Sequence, residues 1–156
     1  MNDSHKNSII VQELTRSYWM ELETVLNYLA NSTNLDGVRA EEIKKSLAAD
    51  VQEELNHATQ IANRIKTIDG QVPGSFDFQA VQASMQPPAQ STDVVHVIKG
   101  VIDAEEAAIE QYEKIIRLCD GYDYVTQDMC ITLLADEQQN RREFVGFLKE
   151  YESHQS

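Results

Sequence analysis

The sequence predicts an all-α fold, an antiparallel four-helix bundle with a long crossover between its second and third helices. Three observations carry that expectation. Four long stretches repeat apolar residues at helical spacing, helix breakers gather between them, and one junction is far longer than the other two. With 156 residues, 42% of them hydrophobic, the chain can bury one sizeable core but not two, so one domain over 1–156 is expected.

The first helix is expected over about 8–35, where Leu14, Tyr18, Leu22, Val25 and Leu29 recur every three or four residues until Asp36-Gly37 ends the pattern. The second, about 39–69, carries Ile43, Leu47, Val51, Ala58, Ile61 and Ile65 and stops at Gly70. Residues 70–92 hold all three prolines, Pro73, Pro87 and Pro88, and are rich in Gln. Extended chain covers about 3.3 Å per residue against about 1.5 Å for a helix, so this segment can travel the full length of the bundle. The third helix, about 93–119, places Val94, Ile98, Val101, Ile109, Tyr112 and Ile116 on one face. The fourth, about 124–151, does so with Met129, Leu133, Phe144, Phe147 and Tyr151. The short junctions at Asp36-Gly37 and Asp120 to Asp123 make antiparallel hairpins of helices one and two and of helices three and four.

Acidic residues outnumber basic ones by 26 to 13, a formal net charge of −13, and no basic stripe offsets the excess. A polyanion needs clustered Lys and Arg, so neither nucleic acid nor an anionic membrane is an expected partner. The apolar runs are too short to span a bilayer and the first residues lack a secretory pattern, so a cytoplasmic protein is expected. Cys119 and Cys130 are too few for a disulfide scaffold; they lean inward at different heights, and core packing is their expected role.

At about 100° per residue, each helix can be projected on a wheel to find the polar residues within its apolar arc. Glu13, Glu23, Glu41, Glu42, Glu53, Glu106, Glu110 and Glu143 project away from the core. Glu54 and Glu105 lie near the centres of their arcs, and Glu21 and Glu137 just to one side, giving one inward glutamate per helix. Their heights agree. Glu21 lies 16 residues before Gly37 and Glu54 lies 17 after it, while Glu105 and Glu137 lie 16 before and 16 after Gly121. Tyr28 and Tyr112 each follow an inward glutamate by seven residues, so the two halves look like copies of one hairpin. Both tyrosines are candidates for core packing and for hydrogen bonds to these carboxylates.

Four ionised carboxylates in an apolar layer cost many kcal/mol unless neutralised. No Lys or Arg projects into the layer at this height, so divalent cations are the expected counter-charge. Glu54-Leu55-Asn56-His57 adds a nitrogen donor, because residues three apart on a helix reach one site. A Glu from each of two helices plus Glu-x-x-His on the other two is the pattern of a bundle di-iron or di-manganese centre. The symmetry breaks once: the counterpart of His57 is Asn140, which projects inward but offers only a weak amide ligand. The expected metal ligands, and catalytic residues, are Glu21, Glu54, His57, Glu105 and Glu137, with the second metal position weaker or more exchangeable. A single inward glutamate is more often a hydrogen-bonded core residue; four at one height, with a Glu-x-x-His, favour the metal. His5, His96 and His154 read as surface residues.

With these residues in place, the sequence resembles the ferritin-like superfamily, and within it the bacterioferritins and Dps-like ferritins, from about Ser8 to Tyr151. The resemblance rests on 21–28, Glu54 to His57, 105–112 and the run from Asp123-Tyr124 into Asp136-Glu137-Gln138-Gln139-Asn140. It implies that Glu21 and Glu105 are terminal ligands, Glu54 and Glu137 bridging carboxylates and His57 a terminal nitrogen ligand. The implied chemistry is ferroxidase: oxidation of Fe(II) by O2 or H2O2 at a di-iron centre, with ferric mineral stored in a shell of subunits. Mn or Zn could fill the same donors. Three departures refine this. Asn140 stands where the family has its second histidine, and Leu55 stands where bacterioferritins carry the haem-ligating methionine, so no haem is expected. Few residues follow Tyr151, which leaves no fifth helix and makes a 12-subunit shell the expected homo-oligomer rather than one of 24. The alternatives are a metal-binding bundle with an incomplete second site and little turnover, and a di-metal oxygenase or catalase.

Overall fold

A computed structural model describes residues 3–153. Four helices make the bundle: α1 (Asp3–Asn34), α2 (Glu41–Thr67), α3 (Val94–Cys119) and α4 (Tyr124–Ser153). The described residues contain no strand. The helix α1 starts about a turn earlier than the apolar pattern implies, because polar residues 3–7 carry no periodic signal yet continue the helix. None of these helices is long and apolar enough to cross a membrane.

Local chemistry sets the ends. The α1–α2 turn runs through Gly37 at φ 101° and the α3–α4 turn through Gly121 at φ 71°, a left-handed region that a Cβ disfavours. The end of α2 uses Asp69 at φ 68°, and Gly70 N–H closes the last turn onto the Ile65 carbonyl at 2.8 Å. Asp93 caps α3 by accepting from the His96 N–H, and Asp123 caps α4 by accepting from the Thr126 N–H while pairing with Arg64.

The helices α1 and α2 pack as one hairpin and α3 and α4 as the other. Between the hairpins the apolar core divides in two. One cluster includes Leu35, Ile43, Leu47, Ile98, Val101 and Phe144; the other includes Leu14, Ile61, Ile65, Ile115 and Leu133. Cys119 and Cys130 are free thiols packed in the second cluster, where burial pushes them up to about 11 and about 12, so both stay neutral.

The crossover is fastened through its second half, residues 81–91. Glu23, expected on the solvated face, is buried: its carboxylate accepts from the backbone N–H groups of Val81 and Gln82, both at 2.8 Å. The wheel misplaces Glu23 because it counts only the four helices, whereas the crossover lies across that face of α1. Gln82 continues the clamp by donating to Thr24, and Asn31 donates to the Met85 carbonyl at 2.9 Å. On the other side Gly100 of α3 lies against the crossover backbone, where an added Cβ would collide with the Ser84 carbonyl oxygen.

Gly100→Ala is therefore expected to lower stability by about 1–3 kcal/mol through overpacking. Gly146, also helical, has room for a Cβ, which would meet only Arg142 Nη1 at 3.7 Å. Gly146→Ala should instead raise stability by about 0.5–1 kcal/mol. Denaturant unfolding of both variants checks the opposite signs.

Candidate metal centre

The polar layer lies where the core is interrupted. Each helix supplies one glutamate to it, and Glu21, Glu54, Glu105 and Glu137 are only 2%, 1%, 2% and 1% exposed. Carboxylates are almost never so buried without a partner. His57, one turn beyond Glu54, turns its Nδ1 to the same layer: 3.1 Å from Glu137 Oε1, 3.4 Å from Glu21 Oε2 and 3.8 Å from Glu54 Oε2. One donor atom from each of Glu21, Glu54, His57 and Glu137 lies within 4.8 Å of all the others. Glu105 stands beside Glu137 but outside that group of four.

The two tyrosines cross between the hairpins. Tyr28 of α1 donates to Glu105 Oε1 of α3 at 2.8 Å, and Tyr112 of α3 donates to Glu21 Oε1 of α1 at 2.7 Å. Burial, then the negative charge of the glutamates, holds both phenols well above their ordinary range, so both remain donors.

The remaining oxygens are unsatisfied: Glu21 Oε2, Glu54 Oε1 and Glu105 Oε2 are buried and make no hydrogen bond. Such orphaned acceptors cost about 1–3 kcal/mol each, more when charged. Among the described residues no Lys or Arg pairs with a layer carboxylate. Among the described residues, His57 is the basic group that pairs with the layer. Burial opposes its charge, but Glu21, Asp136 and Glu53 overcome burial and push it up to about 9. Burial also works against Glu21, yet contacts with Glu54, His57 and Tyr112 bring its carboxyl below the ordinary range. Burial and the charge of Glu21 push Glu54 and Glu137 well above that range, and burial takes Glu105 up to about 7. Without metal the layer is thus a Glu21–His57 ion pair among carboxyls held toward neutrality. The oxygen-rich set with one imidazole fits a divalent first-row ion.

Two further acids flank this layer. Asp136 Oδ2 lies 3.0 Å from His57 Nε2, and Glu53 Oε1 lies 3.7 Å from the same nitrogen. Glu53, expected to project outward, is only half exposed here. Asn140 is buried, and its amide donates to Glu53 Oε1 at 3.4 Å. The signal for Asp136 was the histidine itself: an imidazole offering one nitrogen to a site needs a partner for the other.

The chain as a whole is similar to known proteins. A family model described as a ferritin-like domain matches residues 11–153. The bacterioferritin of Desulfovibrio desulfuricans is 23% identical over 138 residues, covering 88% of this chain and 73% of that protein. A dodecameric thioferritin, the bacterioferritin-related protein from Bacteroides fragilis, superposes with a TM-score of 0.84 at 18% identity, covering 96% of this chain and 89% of that one. The Dps protein of Vibrio cholerae O1, described as a member of a superfamily of ferritin-like diiron-carboxylate proteins, gives 0.84 at 16% identity over 94% and 92% of the two chains.

The proton inventory gives a signed expectation for the metal-free protein. The groups held high, His57 at about 9 and Glu105 at about 7, favour the folded state in their protonated forms. Their stabilising contribution is complete below their ordinary values and is lost as pH rises through the raised ones. In the presence of a chelator, thermal stability should fall from about pH 5 to about pH 9. A melting temperature that rises over that window would contradict the assignment.

Proposed function

Because the chain belongs to the family of ferritin-like domains, we propose that it holds two iron ions at mid-bundle and oxidises Fe(II) with O2 or H2O2, for iron storage and detoxification. The observation that carries the reading is the buried layer of four glutamates and one histidine with carboxylate oxygens left unsatisfied. In it Glu21, Glu54, Glu105 and Glu137 would hold the ions through carboxylate oxygens and His57 through Nδ1. The ions supply the redox chemistry; the protein supplies charge, geometry and proton release.

The residues divide that work. Tyr28 and Tyr112 occupy one oxygen each of Glu105 and Glu21 and leave the other for metal. Asp136 holds His57 Nε2, so Nδ1 is the nitrogen presented to the layer. Loading must expel the His57 proton and those retained on the raised carboxyls, which makes binding tighter as pH rises. Two free thiols agree with a reducing compartment, here the cytoplasm. For the assembly we adopt a 12-subunit shell, supported by the dodecameric bacterioferritin-related protein that this chain resembles.

One observation favours a second reading. Asn140, which stands in place of a second histidine, donates its amide to Glu53, which suits a bundle with one tight ion and slow turnover. Metal count separates the two: two ions per chain support the ferroxidase, one supports the binding bundle.

Anaerobic loading with Fe(II), followed by a pulse of O2 and near-ultraviolet absorbance, tests the proposal. Fast oxidation should appear in the native chain and fall at least about tenfold in Glu54→Ala; equal rates would defeat the ferroxidase reading. Asp136→Ala should weaken divalent-cation binding by about ten- to a hundredfold in competition titrations, by releasing the orientation of His57. Unchanged affinity would remove Asp136 from that role.

A further inference from the structure

The four layer glutamates are buried, so an ion that reaches them has to pass the side chains around them. Most of those neighbours are closed to water. Tyr28 and Tyr112, which bond Glu105 and Glu21, are buried too. His57 is also buried, but its two nitrogens face different surroundings. Nδ1 meets Glu137, Glu21 and Glu54, while Nε2 lies 3.0 Å from Asp136 Oδ2 and 3.7 Å from Glu53 Oε1. The side chains of Asp136 and Glu53 are 41% and 33% exposed. Among the described residues, the hydrogen bonds and ion pairs that join the layer to solvent-exposed groups therefore run through this imidazole, at the seam between α2 and α4.

The seam has the donors of a cation site in its own right. One atom each of Glu53, His57 and Asp136 lies within 4.8 Å of the other two, which brings two carboxylates and an imidazole nitrogen from two helices to one spot. Among the described residues no Lys or Arg pairs with either acid, and Arg141, farther along α4, is held by Glu106 instead. Two carboxylates this close repel each other unless a cation stands beside them. The mixed oxygen and nitrogen set suits the same divalent ions as the layer behind it.

We propose that Glu53, Asp136 and His57 Nε2 form an outer capture site for divalent cations, through which ions enter the central layer from the α2–α4 seam. This rests on the di-metal reading above and deepens it by naming the port. The two half-exposed acids draw the ion from water and hold it beside His57, and a turn of the ring then opens the way to the carboxylates behind. The imidazole thus serves the seam through one nitrogen and the layer through the other. A negative mouth with apolar walls raises the arrival rate of a cation by about 10- to 1000-fold, and salt weakens the effect.

Stopped-flow mixing of the full chain with Co(II), followed by the visible absorbance of the bound ion, separates entry from affinity. Glu53→Gln removes one charge at the mouth, preserves side-chain size and keeps an oxygen for the Asn140 amide. Co(II) should reach the centre at least about tenfold more slowly in this variant, with the equilibrium affinity of the centre within about threefold of native. Added salt should slow the native chain far more than the variant. Crystals of Glu54→Ala soaked in Co(II) should show anomalous density between Glu53 and Asp136 although the centre is disabled. Equal entry rates in Glu53→Gln and the native chain would overturn the proposal. So would a loss of affinity as large as the loss of rate, or a seam without density in the soaked crystals; in each case the central site stands. No uptake of Co(II) by the native chain would defeat the di-metal reading itself.

Discussion

Everything in this bundle answers to the burial of four carboxyl groups and an imidazole at one height among hydrophobic side chains. The group is too polar to be left to packing, and it splits the core into two apolar clusters. Those clusters do the holding. Each presses the helices together on one side of the layer, so the carboxyl groups cannot escape to water. Confinement is what makes the group useful, because charges that cannot be solvated must be met by something inside.

The metal-free state meets them with protons. Glu21 keeps its charge against His57, and the other three carboxyls are held toward neutrality. This arrangement is poised. A divalent ion offers the layer more charge than the imidazolium and the protons it displaces, so loading exchanges one balanced state for another. The crossed tyrosines restrict the geometry of that exchange by tying Glu105 and Glu21 each to the opposite hairpin. The crossover, clamped by Glu23 on α1 and seated against Gly100 on α3, keeps those two helices in register.

Much of this was legible in the sequence because it lies within helices. Periodicity locates α2, α3 and α4 to within two residues at either end, and counting from Gly37 and Gly121 puts the four glutamates at one height. What the wheel missed depends on contacts it does not contain. Glu23 is buried by the crossover, a segment without helical periodicity whose path only the folded chain shows. Glu53, read as outward, and Asp136, which the wheel did not single out, matter because His57 turns Nε2 to them. Asn140 does face inward as the wheel indicates, and its amide donates to Glu53.

The central claim, that divalent ions rather than protons neutralise this layer in the working protein, is tested most directly by diffraction from crystals soaked in Fe(II) or Mn(II). Anomalous density should appear between Glu54 and Glu137, within about 2.3 Å of their oxygens and of His57 Nδ1. A soaked crystal whose layer stays free of metal, with His57 still paired to Glu21, would contradict the account.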